Sequence, residues 1–160
     1  VRKLLGIGLL IAGAGAAYAD SADIGPDEIV NLFSIHADPA IPVAAVHATF
    51  DVEPGKAVRL AVYDNEEAFL EDARVKHQAL VDERGLAVLP LGELEPGEYA
   101  FAAYLDLNGD GKLNRGKILG RPKEPVAFSN GAKAKLRKPR FDEAKVNIEP
   151  GSVVVITLDD

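Results

Sequence analysis

The 160-residue sequence contains no cysteine, methionine or tryptophan and only three histidines. Each absence closes off a class of chemistry. Without cysteine there is no disulfide framework, thiol nucleophile or lipid-modified cysteine, so the fold must rest on packing. The missing methionine removes the thioether ligand of a small copper carrier. His36, His47 and His77 are far apart, and no two share the i, i+2 or i, i+4 spacing that sets zinc ligands on one face. The basic stretch 133–140 has no interleaved aromatics, which with the net charge of −7 argues against nucleic acid as a partner. Ser129 lacks a G-x-S-x-G elbow and reads as a turn residue. No catalytic residue emerges, and the chain reads as a non-enzyme.

What is present begins with an export signature. Arg2 and Lys3 precede the apolar run Leu4 to Ala14, and Ala17-Tyr18-Ala19 supplies small residues before Asp20. This predicts a signal peptide over 1–19, cleaved between Ala19 and Asp20, with a periplasmic or secreted product and no transmembrane span after cleavage. Residues 20–42, with Pro26, Pro39 and Pro42, read as a lead-in with a helical turn over Pro26 to Phe33. Residues 43–160 read as one β domain with a long irregular excursion over 106–144.

Period-two alternation defines the strands. Val46, Ala48, Phe50 and Val52 alternate with His47, Thr49 and Asp51, and after the Pro54-Gly55 turn Val58, Leu60 and Val62 alternate with Ala57, Arg59, Ala61 and Tyr63. Asn65 to Asp72 suits a short helical crossover, with Asn65 as its N-cap. Arg74 to Val81, Leu86 to Leu91, Tyr99 to Leu105, Lys145 to Ile148 and Ser152 to Leu158 follow as extended segments. About seven short strands separated by turn signals predict an all-β, antiparallel β-sandwich.

Charge is divided unevenly. Residues 20–111 hold 19 acidic and 5 basic side chains, whereas residues 112–145 hold 11 basic and 3 acidic. Two readings follow: the basic segment folds back over the acidic body, or Lys133, Lys135, Arg137, Lys138 and Arg140 present a cationic surface to anionic lipid or polysaccharide.

The segment Asp106-Leu107-Asn108-Gly109-Asp110-Gly111-Lys112-Leu113-Asn114 places oxygen-bearing side chains at alternate positions. It matches the first half of an EF-hand loop, and Asp106, Asn108, Asp110, Lys112, Asn114 and Glu124 are the candidate calcium site. Lys117 stands where that loop needs its bidentate glutamate, and Lys112 and Arg115 add further positive charge. The alternative is an Asx-rich turn in which the same side chains accept bonds from their own backbone.

Four ordered motifs then carry a resemblance: the Asp106 loop; Gly120, Pro122, Lys123 and Glu124; Phe128-Ser129-Asn130; and Pro139, Phe141 and Ala144. The block Glu95 to Ala144 resembles a bacterial exported family known as domain of unknown function 2141. Leu105 and Lys138 stand where members often carry His and Gly. The resemblance implies a transthyretin-like or immunoglobulin-like sandwich and no established activity. The chain is therefore expected to be an exported, non-catalytic binding or cell-envelope accessory module acting on an unknown envelope component. The alternatives are a hydrolase-like enzyme using the loop carboxylates and an anionic-surface binder using 133–140.

Overall fold

Strands form where apolar residues recur at every second position, and the computed structural model, which describes Ile29 and residues 40–117 and 120–159, resolves eight of them. They are β1 (Val43–Ala48), β2 (Ala57–Tyr63), β3 (Val75–Leu80), β4 (Leu86–Pro90), β5 (Gly97–Asp106), β6 (Val126–Phe128), β7 (Lys145–Ile148) and β8 (Val153–Leu158). One sheet has the order β4-β1-β8; the other runs β3-β2-β5-β6, with β7 also paired to β5. The two sheets face each other across Val46, Leu60, Phe101, Leu105, Ile156 and their neighbours, a core buried from both sides. The protein is an all-β sandwich.

The same alternation builds a second layer. In β2, Val58, Leu60 and Val62 turn inward, leaving Arg59, Ala61 and Tyr63 on the outer face; in β5, Ala100, Ala102, Tyr104 and Asp106 share that face. Tyr63, Phe69, Phe128 and Phe141 cover one end of it. Phe69 stands edge-on to Tyr63 at 5.2 Å and to Phe141 at 5.9 Å, an arrangement favoured by ring quadrupoles.

Several expectations are corrected. The excursion is not wholly irregular: it contains β6, a 3-10 turn at Ser129–Gly131 and helix α1 (Phe141–Ala144). β1 stops at Ala48, although Phe50 and Val52 still pack against the core. Asn65 does accept the Ala68 N–H at 2.9 Å, but Leu70 at φ 64° departs from helical geometry and the crossover remains a series of turns. β1 and β8 pair in parallel, Val43 opposite Val153 through Ala48 opposite Leu158; alternation fixes which face is buried and says nothing of a partner over a hundred residues away. The expected signal peptide and, Ile29 excepted, the helical turn at 26–33 lie outside the described residues. Ile29 packs on the outer face of the three-stranded sheet with Val43, Ala45 and Leu86.

Candidate functional site

Asp106, the last residue of β5, turns its carboxylate onto the outer face of the five-stranded sheet, where it is 1% exposed. One oxygen accepts the Gly109 N–H at 2.8 Å; the other accepts the Gly111 N–H at 2.9 Å and Arg59 Nε at 2.9 Å. Burial alone would push this carboxyl up, but the Arg59 bond and the two backbone donors outweigh it and hold the pKa below the usual carboxylate value. Gly111 is required here on two counts. Its φ is +78°, and a Cβ would come within 3.2 Å of the Arg59 guanidinium.

The rest of the loop hangs on the same kind of contact. Asp110 accepts the Lys112 N–H at 2.8 Å and the side-chain amides of Asn108 and Asn114 at 3.2 and 3.0 Å. Asn108 accepts the Asp110 N–H at 3.1 Å. Glu124, 7% exposed, ties both ends together by accepting the N–H of Leu107 at 3.1 Å and of Asn114 at 2.9 Å. Between these ends, Gly116 N–H to Arg121 C=O at 2.7 Å and Lys123 N–H to Asn114 C=O at 2.8 Å close a small hairpin with Pro122 opposite Arg115.

The structure thus brings Asp106, Asn108, Asp110, Asn114 and Glu124 together as the sequence suggested, while Lys112 contributes a backbone donor. Their oxygens face N–H groups. Among the described residues no cluster of three or more His, Asp or Glu is placed to hold a metal ion. A calcium ion needs six to eight converging oxygens and surplus negative charge, whereas Arg59 already neutralises Asp106.

Beside the loop, the outer face opens into a cleft of about 900 Å³. Its lining includes Ala61, Ala102, Tyr63 and Tyr104 from the two central strands, with Val126 and Phe128 from β6. Cations come from three directions: Arg59 and Lys76 from the strands, Lys112, Arg115 and Arg121 from the loop, and Lys135, Arg137 and Lys138 from the 132–140 strap. No Asp or Glu lines it among the described residues.

Several of these cations are already engaged. Arg59 binds Asp106, Arg137 makes two bonds to Glu143 at 2.7 and 2.8 Å, and Lys138 reaches Glu71 at 3.4 Å. The Arg137 bonds, with the Arg140 N–H, hold the Glu143 pKa down at about 2. Lys76, Lys112, Arg121 and Lys135 make no ion pair among the described residues.

Of the five stretch residues singled out in the sequence, Lys135, Arg137 and Lys138 reach the cleft. Lys133 pairs instead with Asp159 at 2.5 Å, and Arg140 lies outside the lining, where its N–H bonds Glu143. Arg59, Lys76, Arg115 and Arg121 were not legible as part of the site, because strand register and the hairpin bring them there. Their one sequence signal was the unusually apolar outward set of β2 and β5, which implied a covered face.

Ser129 is fully buried and structural. Its Oγ accepts the Phe101 N–H at 2.9 Å and donates to the Ala144 carbonyl. His47 and His77 each leave Nε2 buried with no partner among the described residues. Burial lowers both pKa values, opposed at His47 by a backbone bond to Arg84 and by Asp82.

No curated protein matches the chain. Among solved structures, the crystal structure of the major plantain pollen allergen Pla l 1 aligns at 10% identity over 74% of this chain and 94% of that chain, with a TM-score of 0.36. A likeness that low carries no argument. A match to a bacterial family described as uncharacterized runs over residues 51–156, from the turn before β2 into β8, and takes in the loop and the cleft. The chain belongs to that family, the uncharacterized proteins conserved in bacteria designated DUF2141.

Proposed function

We propose that this chain is an exported, non-catalytic binding module whose cleft takes an anionic ligand from the cell envelope or its surroundings. One observation carries the reading: a chain of net charge −7 gathers eight Lys and Arg side chains around one concavity and places no acidic residue in its lining among the described residues. Like charges gathered around one concavity repel, and low-dielectric walls focus their field on whatever enters. An anion relieves that repulsion. The volume also falls within the range of small-molecule sites, about 300 to 1,000 Å³. In this reading residues 1–19 direct export, and the Asp106 loop is a scaffold that holds one bank of the cleft.

The alternative of a hydrolase working through loop carboxylates has less behind it. Asp106, Asp110 and Glu124 each spend their oxygens on N–H donors within the loop, and Asp106 has no exposed side-chain surface from which to act.

Titration with the aromatic sulfonate 8-anilinonaphthalene-1-sulfonate, followed by its fluorescence, tests the cleft. Saturable binding should weaken steeply as sodium chloride is raised. The double substitution Arg121→Glu with Lys135→Glu should reduce affinity at least tenfold; both side chains are exposed, so folding is spared. Binding indifferent to salt and to both substitutions would dismiss an anion site here.

A further inference from the structure

The floor of the cleft and its banks differ in chemistry, and that difference narrows the ligand. Register aligns Lys76, Ala61, Ala102 and Phe128 in one row across β3, β2, β5 and β6. Three steps between neighbouring strands make this row about 14 Å wide. Its two central positions are alanines, half-buried, where any longer side chain would fill the space. Tyr63 borders them on one side and Tyr104 on the other, and Leu113 adds apolar surface on the loop bank.

A bare inorganic anion needs a compact cluster of donors and no such floor. A polysaccharide needs polar groups along the floor to meet its hydroxyls, and between Lys76 at one end of this row and Phe128 at the other it offers only the methyl groups of Ala61 and Ala102. The unpaired cations instead come from separate elements around it, Lys112 and Arg121 from the loop, Lys135 from the strap and Lys76 from β3 at the end of the row. The strap adds Leu136, wholly exposed at 103% and flanked by Lys135 and Arg137. An apolar side chain held in water between two long cations suits contact with acyl chains below and headgroups above.

We propose that the cleft binds an anionic lipid, with one acyl chain on the Ala61–Ala102 floor and a phosphate head held by the unpaired cations of the banks. This rests on the anion-binding reading above and names its ligand class. The occupant is an amphiphile with a phosphate head, and free phosphate is the competing source of the same chemistry.

Displacement of the bound aromatic sulfonate by octyl, decyl and dodecyl phosphate, each below its micelle concentration, tests the inference. Each methylene buried on the floor should raise affinity about fourfold, with inorganic phosphate and the uncharged detergent dodecyl maltoside far weaker. Leu136→Ser, at a wholly exposed position, should lower dodecyl phosphate affinity several-fold. Ala102→Leu should abolish the dependence on chain length. If inorganic phosphate competes as well as dodecyl phosphate and chain length has no effect, the lipid inference falls and the anion site stands. If dodecyl maltoside competes equally well, the cations are idle and both fall.

Discussion

Asp106 shows how one carboxylate can be both buried and charged. Its desolvation is met by one guanidinium and two backbone donors, so removing the charge leaves those donors facing an amide that also donates. Asp106→Asn should cost about 2 kcal/mol in urea unfolding at pH 7. The pH dependence follows from the direction of its shift. A carboxyl held below its unfolded value of 3.8 contributes stability that is complete above that value and is lost as pH falls toward the folded one. Wild-type protein should therefore lose stability below about pH 4, and Asp106→Asn should flatten that part of the profile. A profile identical in the two proteins would show that Asp106 titrates normally.

Among the elements, β5 organises the larger sheet because it changes partner along its free edge. Its second half pairs with β6 from Ala102 to Tyr104, and its first half pairs with β7 from Gly97 to Ala100. Phe101 falls at the changeover, and Ser129 Oγ supplies the acceptor that no strand provides there. Ser129→Ala should leave the Phe101 N–H buried and unbonded, at a cost of about 1 to 3 kcal/mol, with faster amide exchange at Phe101 as the local readout. Unchanged exchange would mean another group accepts that proton. The sequence made the existence of β2 and β5 plain because the alternation is strict. β6 was hidden because Val126, Ala127 and Phe128 are three residues among glycines, prolines and lysines, too short for a period to register. Ser129 was read as a turn residue; its bridging role depends on where β5, β6 and α1 meet.

For the molecule as a whole, the uneven charge resolves into two uses. Lys133 to Asp159 and Lys138 to Glu71 tie the strap to distant parts of the body, the folding-back that the sequence suggested. Lys112, Arg115, Arg121, Lys135, Arg137 and Lys138 line the cleft, and no reading of a linear run could show that Arg59 and Lys76 join them. The Asp106 loop was legible as an oxygen-rich turn; whether its oxygens face a cation or N–H groups was not, since both uses ask for the same residues. With those oxygens on N–H donors, calcium at about 5 mM, above the weak range of extracellular sites, should leave the thermal midpoint unchanged. A rise with calcium concentration would show that the ion binds the native state.

The parallel pairing of β1 with β8 bears on synthesis. β1 is the middle strand of its sheet, held by β4 on one side and by Val153–Leu158 on the other. Until β8 has been synthesised, one hydrogen-bonding edge of β1 stays open, and the smaller sheet closes only when a strand made more than a hundred residues later arrives beside it.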